Sequence, residues 1–330
     1  MKKSSFTFVM IFLGLFALAG CSGTDSNNGS GEGATENSSA DKEQSGNSYT
    51  VKHAMGKTII PANPERVVVL TNEGTEAVLS MGVKPVGAVK SWLGDPWYDH
   101  IADQMEGVKV VGTESSVNLE AIANLHPDLI IGNKMRQEKI YEKLSAIAPT
   151  VFSETLRGNW KINFKLYAKA LNKEEKGKEV IGKFNERIKS IRERLGDKVN
   201  MEVSLVRFLP SSVRIYHKDS FAGVILEQIG FKRPANQNKD DFALKNVTKE
   251  MIPKMDGDIL FYYTYAPEGD KAAKVRKEWT NSQLWQNLDV VQAGKAYGVS
   301  DAIWNTAGGV LAANRMLDDI EKYFHLEGSK

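Results

Sequence analysis

Short apolar runs alternate with segments of helical spacing along the first half of the chain. The run PERVVVL, residues 64–70, is bounded by turn residues, which indicates a buried strand. The next segment, residues 72–83, has apolar residues at helical spacing and a glycine near its end, and further short apolar runs follow it. Strands that alternate with helices predict a parallel sheet with helices on its faces.

The pattern changes between Asn163 and Leu195, where helical spacing continues without an intervening strand. About thirty residues at 1.5 Å each would span about 45 Å, which suits a strut between two lobes. Gly177 and Gly182 lie within this segment, so its continuity is left open. Strands and helices then alternate again up to a closing helix. We therefore predict an α/β fold with two Rossmann-like lobes joined by one long backbone helix.

One helix-then-strand unit occurs twice. The stretch NLEAIANLHPDLIIG begins at Asn118, and TKEMIPKMDGDILFY begins at Thr248. In each copy a glutamate, Glu120 or Glu250, lies two residues after the capping residue. A glutamate in the first turn interacts favourably with the helix dipole and stabilises the helix by about 0.3–1 kcal/mol. This effect explains either glutamate alone but not the matched pair. One copy in each lobe accounts for the duplication.

The N-terminus has the features of an export signal. Two lysines precede an apolar run, residues 6–19, which is shorter than the about 20 residues of a membrane-spanning helix. Residues 1–20 are therefore predicted to be a signal peptide. The motif LAGC ends at Cys21, the single cysteine, and resembles the lipobox of bacterial lipoproteins. This resemblance implies a lipid on the Cys21 sulfur, whereas an ordinary secretory signal with an incidental cysteine is the alternative.

The remaining boundaries follow from composition. Residues 21–47 have almost no large apolar side chain, so beyond the lipidated cysteine they are predicted to be a flexible linker. We expect an N-terminal α/β lobe over residues 48–162, the connecting helix over 163–197, and a C-terminal α/β lobe with the closing helix over 198–330. The chain carries a net charge of +2, and without signal and linker about +4. That charge is too weak for a nucleic-acid surface but compatible with a local basic pocket for a small anion.

Several polar and aromatic residues follow the predicted strands, where a two-lobed protein holds its ligand. Forked guanidinium groups suit charged oxygen atoms, and indole rings suit apolar arms. A lone arginine after a strand is usually a surface residue, so the prediction rests on convergence from both lobes. The candidates are Trp92, Arg136, Arg207, Arg214, Tyr216, Tyr263, Tyr265 and Trp304.

The lipobox, PERVVVL, the repeated unit and the strut together resemble the clamshell substrate-binding lipoproteins of iron-siderophore and cobalamin ABC importers. The resemblance covers roughly residues 48–326. It implies that Glu120 and Glu250 meet arginines on the membrane-permease subunits, where two charges at a fixed separation favour orientation and association rate.

The stretches VRF…VRIY and IWNTAGG resemble the hydroxamate-binding branch of that family. They imply that Arg207 and Trp304 bind the ferric chelate. By the same resemblance, further ligand-binding residues are Arg136, Arg214, Trp92 and Tyr216.

The function implied by the resemblance is capture of a ferric hydroxamate siderophore and its delivery to an ABC permease, a heterodimer or homodimer, for iron uptake. A citrate-hydroxamate would engage the second and third arginines through its extra carboxylate. The resemblance also implies no intrinsic cofactor, no catalytic residue and no metal bound directly by the protein, because the siderophore holds the iron. The protein would be a monomer with no nucleic-acid partner, lipid-anchored at the extracytoplasmic face of a cell membrane, on a Gram-positive surface.

Other functions stay open from the sequence. A haem or cobalamin binder of the same fold is the main alternative, with Tyr263 or His217 as an axial haem ligand. Direct zinc or manganese binding needs clustered histidines and carboxylates, but the five histidines include no close pair. A lipid-anchored hydrolase is less favoured, since the chain lacks a G-x-S-x-G elbow and an H-E-x-x-H motif. Glu73 and Glu76 are interpreted as caps of the first helix.

Overall fold

The computed structural model describes residues 44–45, 47–267 and 269–326. The predicted signal peptide, the predicted lipidation site Cys21 and most of the predicted linker lie outside the described residues. Among the described residues, no helix combines the length and the apolar character needed to cross a membrane.

Three antiparallel strands that were not predicted from the sequence open the described chain. They are β1 (Gln44–Ser45), β2 (Ser48–His53) and β3 (Gly56–Pro61). Ala54 and Met55 form the turn between β2 and β3, and Gly56 begins β3 at a φ of +123°, which favours glycine. The backbone N–H of Ala54 donates to the carbonyl of Phe152 at 3.0 Å, so this hairpin is attached to the N-terminal lobe.

The N-terminal lobe is built on a five-stranded parallel sheet, as the alternation of strands and helices predicted. Its strands are β4 (Val67–Val69), β5 (Gly87–Ala88), β6 (Lys109–Val110), β9 (Leu129–Asn133) and β10 (Thr150–Ser153), with a small hairpin of β7 (Gly112–Thr113) and β8 (Ser116–Val117). The order is β10-β9-β4-β5-β6. Every residue of β4 and β9 is buried, as expected for parallel strands covered on both faces.

The helices of this lobe follow its strands. They are α1 (Asn72–Ser80), α2 (Leu119–Asn124), α3 (Lys134–Gln137) and α4 (Tyr141–Ser145), with 3₁₀ turns at Ala102–Met105, Glu138–Ile140 and Arg157–Asn159. The hydroxyl of Thr71 accepts the N–H of Gly74 at 3.0 Å and so caps α1.

The predicted strut consists of two helices, α5 (Trp160–Ala170) and α6 (Glu174–Leu195). The chain breaks between them at Asn172, whose φ is +53°. The glycines whose effect was left open lie inside α6 and do not interrupt it. A Cβ atom at Gly177 would lie 2.7 Å from Cβ of Ala168, so glycine allows α6 to pack closely on α5. With 22 residues, α6 is the long backbone helix between the lobes.

The C-terminal lobe repeats the α/β plan with one antiparallel strand. Its strands are β11 (Val203–Phe208), β12 (Val213–Tyr216), β13 (Ala243–Leu244), β14 (Ile259–Thr264) and β15 (Ala296–Val299), in the order β13-β12-β11-β14-β15. Its helices are α7 (Phe221–Ile229), α8 (Lys271–Thr280), α9 (Gln283–Gln286), α10 (Asp289–Gln292) and α11 (Val310–Tyr323), with 3₁₀ turns at Gly196–Asn200 and Lys249–Met255 and a π-helical turn at Ala302–Thr306. The prediction of two α/β lobes joined by a long helix is confirmed.

The repeated unit occupies equivalent places in the two lobes. Asp128 accepts the backbone N–H of Arg66, just before β4, at 3.0 Å. Asp258 accepts the backbone N–H of Glu202, just before β11, at 2.7 Å. Each aspartate thus ties the repeated strand to its parallel neighbour in the sheet. The helix of the second copy is a 3₁₀ helix rather than an α-helix, and it contains Pro253, which lacks an N–H donor.

The two lobes share one apolar core that continues through α5 and α6. Across the junction α1 packs against α11. The buried carboxylate of Glu76 accepts the N–H of Ala312 at 2.8 Å, and its other oxygen lies 2.5 Å from Nε2 of His100. Glu76 therefore joins the lobes instead of capping α1. A shared core with a buried polar joint favours small movements between the lobes.

Candidate functional site

A cavity of about 410 Å³ is lined by residues of both lobes. This volume falls in the range of small-molecule sites, about 300–1,000 Å³. Polar and aromatic side chains from the N-terminal lobe line it, namely Glu73, Trp92, Glu114, Arg136 and Arg157. The C-terminal lobe contributes Arg207, Arg214, Phe242, Tyr265 and Thr306.

Arg207 is fixed in the wall by a two-pronged ion pair. Its Nε and Nη2 donate to the carboxylate of Asp301 at 2.6 and 2.9 Å, and Nη1 donates to the hydroxyl of Tyr216 at 3.2 Å. Its guanidinium carbon lies 4.7 Å from the ring centre of Tyr265. Burial alone would lower the pKa of Arg207, but Asp301 and Tyr216 outweigh it and hold this pKa above its ordinary value. The guanidinium is therefore charged, rigid and largely balanced by Asp301.

Arg214 lies directly opposite Arg207 in the antiparallel β11–β12 pair. Opposed residues of such a pair project from the same face of the sheet, which places both guanidinium groups toward the cavity. Arg214 is half-buried, lines the cavity and forms no ion pair within the described part of the chain. Its charge is available to a ligand.

The N-terminal lobe supplies two more arginines. Nε of Arg136 donates to the buried carboxylate of Glu114 at 3.1 Å, and its guanidinium carbon lies 5.7 Å from the ring centre of Trp92. Arg157 has a φ of +74°, and its guanidinium carbon lies 4.0 Å from the ring centre of Phe242 in the other lobe. This cation–π contact joins the two walls of the cavity.

These groups leave the cavity with a surplus of positive charge. Two of the four arginines are balanced by the carboxylates already described. Arg157 interacts electrostatically with the partly exposed carboxylate of Asp219, whereas Arg214 forms no ion pair with any described residue. The other acidic residue that lines the cavity besides Glu114 is Glu73, which is buried, and burial raises its pKa to about 8. Glu73 is therefore largely neutral at pH 7. The resulting field attracts anionic ligands.

Four of the six predicted ligand-binding residues, Trp92, Arg136, Arg207 and Arg214, are brought together on the cavity wall. The other two lie beneath it. Trp304 is fully buried, with its ring centre 4.5 Å from that of Phe261, and its Nε1 donates to Asp319 at 2.7 Å. Its indole thus fills the core under the π-helical turn, and Tyr216 is a buried acceptor for Arg207.

Glu114 and Arg157 belong to the cavity but were missed. Both follow short strands, as the predicted residues do, so the same positional rule would have found them. Arg157 lies four residues beyond the end of β10, and Glu114 directly follows β7. Tyr265, one of the tyrosines considered from the sequence, reaches the wall, whereas Tyr263 is buried.

The two glutamates of the repeat are exposed on different lobes. Asn118 caps α2, because its side-chain oxygen accepts the N–H of Ala121 at 3.0 Å. Hydrogen bonds, first with the Thr248 side chain and then with a backbone N–H, lower the pKa of Glu250. Both positions suit contact with another protein, and docking through them stays a prediction.

The residues considered for metal or haem binding do not assemble. No group of three or more histidine, cysteine, aspartate or glutamate residues is placed to hold a metal ion within the described ranges. Nδ1 of the buried His217 contacts Asp241, and neither His217 nor Tyr263 lines the cavity described above.

Comparisons with known proteins place the chain in a family. The pattern of the periplasmic binding protein family matches residues 67–302. The probable siderophore-binding lipoprotein YfiY of Bacillus subtilis is 53% identical, over 98% of this chain and 99% of its own. The Fe(3+)-citrate-binding protein YfmC of the same organism is 30% identical, over 95% and 94%. The crystal structure of Staphylococcus aureus SirA complexed with staphyloferrin B is 35% identical, with a TM-score of 0.78 over 84% of this chain and 98% of SirA.

The family match covers most of the described residues, and the relatives align over nearly their whole length. The match therefore covers both lobes and the connecting helices rather than one of them. The resemblance stated from the sequence is confirmed, and the chain belongs to the periplasmic binding protein family.

Proposed function

We propose that this protein captures a ferric hydroxamate siderophore in the cavity between its lobes and delivers it to an ABC permease for iron uptake. Within this class of ligand, we propose a citrate-hydroxamate siderophore. Support comes from the relatives, among them a probable siderophore-binding lipoprotein, an Fe(3+)-citrate-binding protein and a structure with bound staphyloferrin B. The protein acts as a binder, without a catalytic step and without an intrinsic cofactor.

The observation that carries this proposal is the uncompensated positive charge of the cavity. Three singly charged hydroxamates neutralise Fe³⁺, so a ferric trihydroxamate has no net charge. A citrate arm that supplies a carboxylate and an ionised hydroxyl beside two hydroxamates leaves one negative charge. Arg214 is the arginine free to meet it, with Arg157 beside Phe242 as a second donor, and forked guanidinium donors suit carboxylate oxygens.

The other predicted ligand-binding residues take distinct roles in this proposal. Arg207, held by Asp301, presents a fixed donor, and Arg136 does the same from the opposite lobe. The rings of Trp92 and Tyr265 cover the apolar arms of the chelator. Trp304 and Tyr216 support the wall from beneath.

Delivery requires an anchored protein that docks on its permease. Residues 1–20 direct export, Cys21 carries the lipid, and the linker keeps the lobes at the extracytoplasmic face of the membrane. Glu120 and Glu250 then meet basic residues of the two permease subunits. The protein acts as a monomer, consistent with one cavity formed by the two lobes of one chain.

Competition binding tests this assignment. The protein is titrated with a ferric trihydroxamate, a ferric citrate-dihydroxamate, a ferric tris-catecholate and haem, and tryptophan fluorescence reports binding. We expect one equivalent of the citrate-dihydroxamate to bind most tightly. Tighter binding of the catecholate would reject the hydroxamate assignment, and a haem absorption band with tighter haem binding would reject a siderophore altogether.

A further inference from the structure

A carboxyl group that the sequence did not assign to the ligand lies in the cavity wall. Glu73 is in the first turn of α1, lines the cavity and is 5% exposed. Its Oε1 accepts a hydrogen bond from Nδ2 of Asn163 at 2.8 Å, and the hydroxyl of Tyr167 lies 3.5 Å away. No described residue is hydrogen-bonded to Oε2. One oxygen of the carboxyl is thus held by α5, and the other is left for a molecule in the cavity.

The surroundings of this carboxyl favour its neutral form. Burial is the largest cause of its raised pKa of about 8, the Asn163 hydrogen bond opposes it, and the charge of Glu114 adds to it. Arg136, an arginine of the same lobe, is already engaged by Glu114. The titratable and charged groups that face Glu73 are Glu76 on its own helix, Glu114, Tyr167 on α5, and the arginines of the cavity, Arg136, Arg157, Arg207 and Arg214.

We propose that Glu73 is a ligand-binding residue that acts as a neutral acid, donating a hydrogen bond from Oε2 to an anionic oxygen of the ferric chelate. This inference rests on the proposed function and adds a donor to the arginines. An acid can serve as donor and then, once ionised, as a repelling charge against the same oxygen. Arginine, which stays charged throughout this pH range, cannot do both.

Binding and protonation of Glu73 are then coupled. A bound anion beside the carboxyl disfavours its ionised form, so the pKa of Glu73 rises further in the complex. Below the pKa of the free protein the proton is already present, and affinity does not depend on it. Above that pKa the ligand must bind together with a proton, and affinity falls by up to about tenfold per pH unit until the pKa of the complex is reached.

Isothermal titration of a ferric citrate-dihydroxamate into the protein tests the coupling, using buffers of different ionisation enthalpy. At pH 8 we expect an uptake of about half a proton per ligand, and between pH 7 and pH 9 a rise of about tenfold in the dissociation constant. In Glu73→Gln, which keeps a donor but does not titrate, proton uptake is lost and the affinity no longer changes over this range. Glu65→Gln, an exposed glutamate of the same lobe outside the cavity, is the matched control and keeps the wild-type pH profile.

The outcomes separate this inference from the proposed function. Binding with no proton uptake and a flat pH profile in the wild type overturns the role of Glu73 and leaves the proposed function intact. A wild-type profile retained by Glu73→Gln also overturns it, because another group would then titrate. Failure to bind a ferric chelate at every pH overturns the proposed function and this inference with it.

Discussion

The substitution Arg214→Gln tests most sharply whether Arg214 serves ligand binding while Arg207 also serves stability. Arg214 faces Arg207 across the β11–β12 pair, but only Arg207 has a buried carboxylate partner. The substitution removes a positive charge that forms no ion pair with any described residue. We therefore expect ligand affinity to fall while stability is kept or slightly increased.

The expected changes in affinity and stability follow from the different surroundings of Arg214 and Arg207. A hydrogen bond to a charged group contributes about 1.5–3 kcal/mol, which corresponds to a loss of about tenfold to a hundredfold in affinity. Like charges directly opposite each other in a strand pair are destabilising, and because Asp301 largely balances Arg207, Arg214→Gln relieves only a small repulsion. Arg207→Gln leaves Asp301, 4% exposed, without its partner, and breaking such a buried pair costs about 3–5 kcal/mol of stability.

Urea unfolding and ligand titration of the same protein samples separate these effects. Arg214→Gln should bind weakly and unfold at the wild-type urea concentration or above it. Arg207→Gln should lose both stability and affinity. Arg276→Gln on α8, outside the cavity, is the matched control and should behave as wild type in both assays. Wild-type affinity in Arg214→Gln would refute the reasoning, as would a loss of stability comparable to that of Arg207→Gln.

Three further predictions follow from other parts of the structure. Replacing Glu120 or Glu250 by alanine should lower siderophore uptake by cells without changing ligand affinity in solution; weaker binding in either variant would contradict the docking role. The raised pKa of Glu73 means that wild-type stability declines as pH rises from its ordinary 4.5 to about 8, by up to about 1.4 kcal/mol per pH unit. The stability advantage of Glu73→Gln in urea unfolding should therefore grow over that window and then level off, and a constant difference would contradict the shift. Trp304→Phe loses the hydrogen bond to Asp319 and should lower stability by about 1–3 kcal/mol while most ligand affinity is kept, whereas loss of affinity without loss of stability would place Trp304 in contact with the ligand.

The fold was predictable because its signals are local. Apolar runs such as residues 67–69 alternate with helical segments, and both strands of the repeated unit are preceded by a helical turn. The break between α5 and α6 also has a local signal, since an asparagine with positive φ is a common helix stop, and Asn172 lies there. The opening hairpin was overlooked although Val51 and Lys52 show the buried and exposed alternation of a strand.

The site was predictable where a polar or aromatic residue lies in a strand or a few residues after one, as Arg136 does after β9. Arg207 and Arg214 were found because each lies in a strand, and the pairing of those strands places them together. Trp304 was assigned to the ligand because IWNTAGG resembles the hydroxamate-binding branch, but it lies in a π-helical turn whose periodicity the sequence does not show. The neutral state of Glu73 depends on burial by α5 and on the charge of Glu114, which are distant in sequence. Such contacts arise only from tertiary packing.

The central claim is that the surplus guanidinium charge of the cavity selects an anionic ferric chelate. One comparison of affinities tests this claim most directly. Dissociation constants for a ferric citrate-dihydroxamate, with one negative charge, and a neutral ferric trihydroxamate are measured at about 0.15 M salt and pH 7. With one guanidinium engaging the extra charge, the anionic chelate should bind at least about tenfold more tightly, with one chelate per protein. Equal or tighter binding of the neutral chelate would contradict the account.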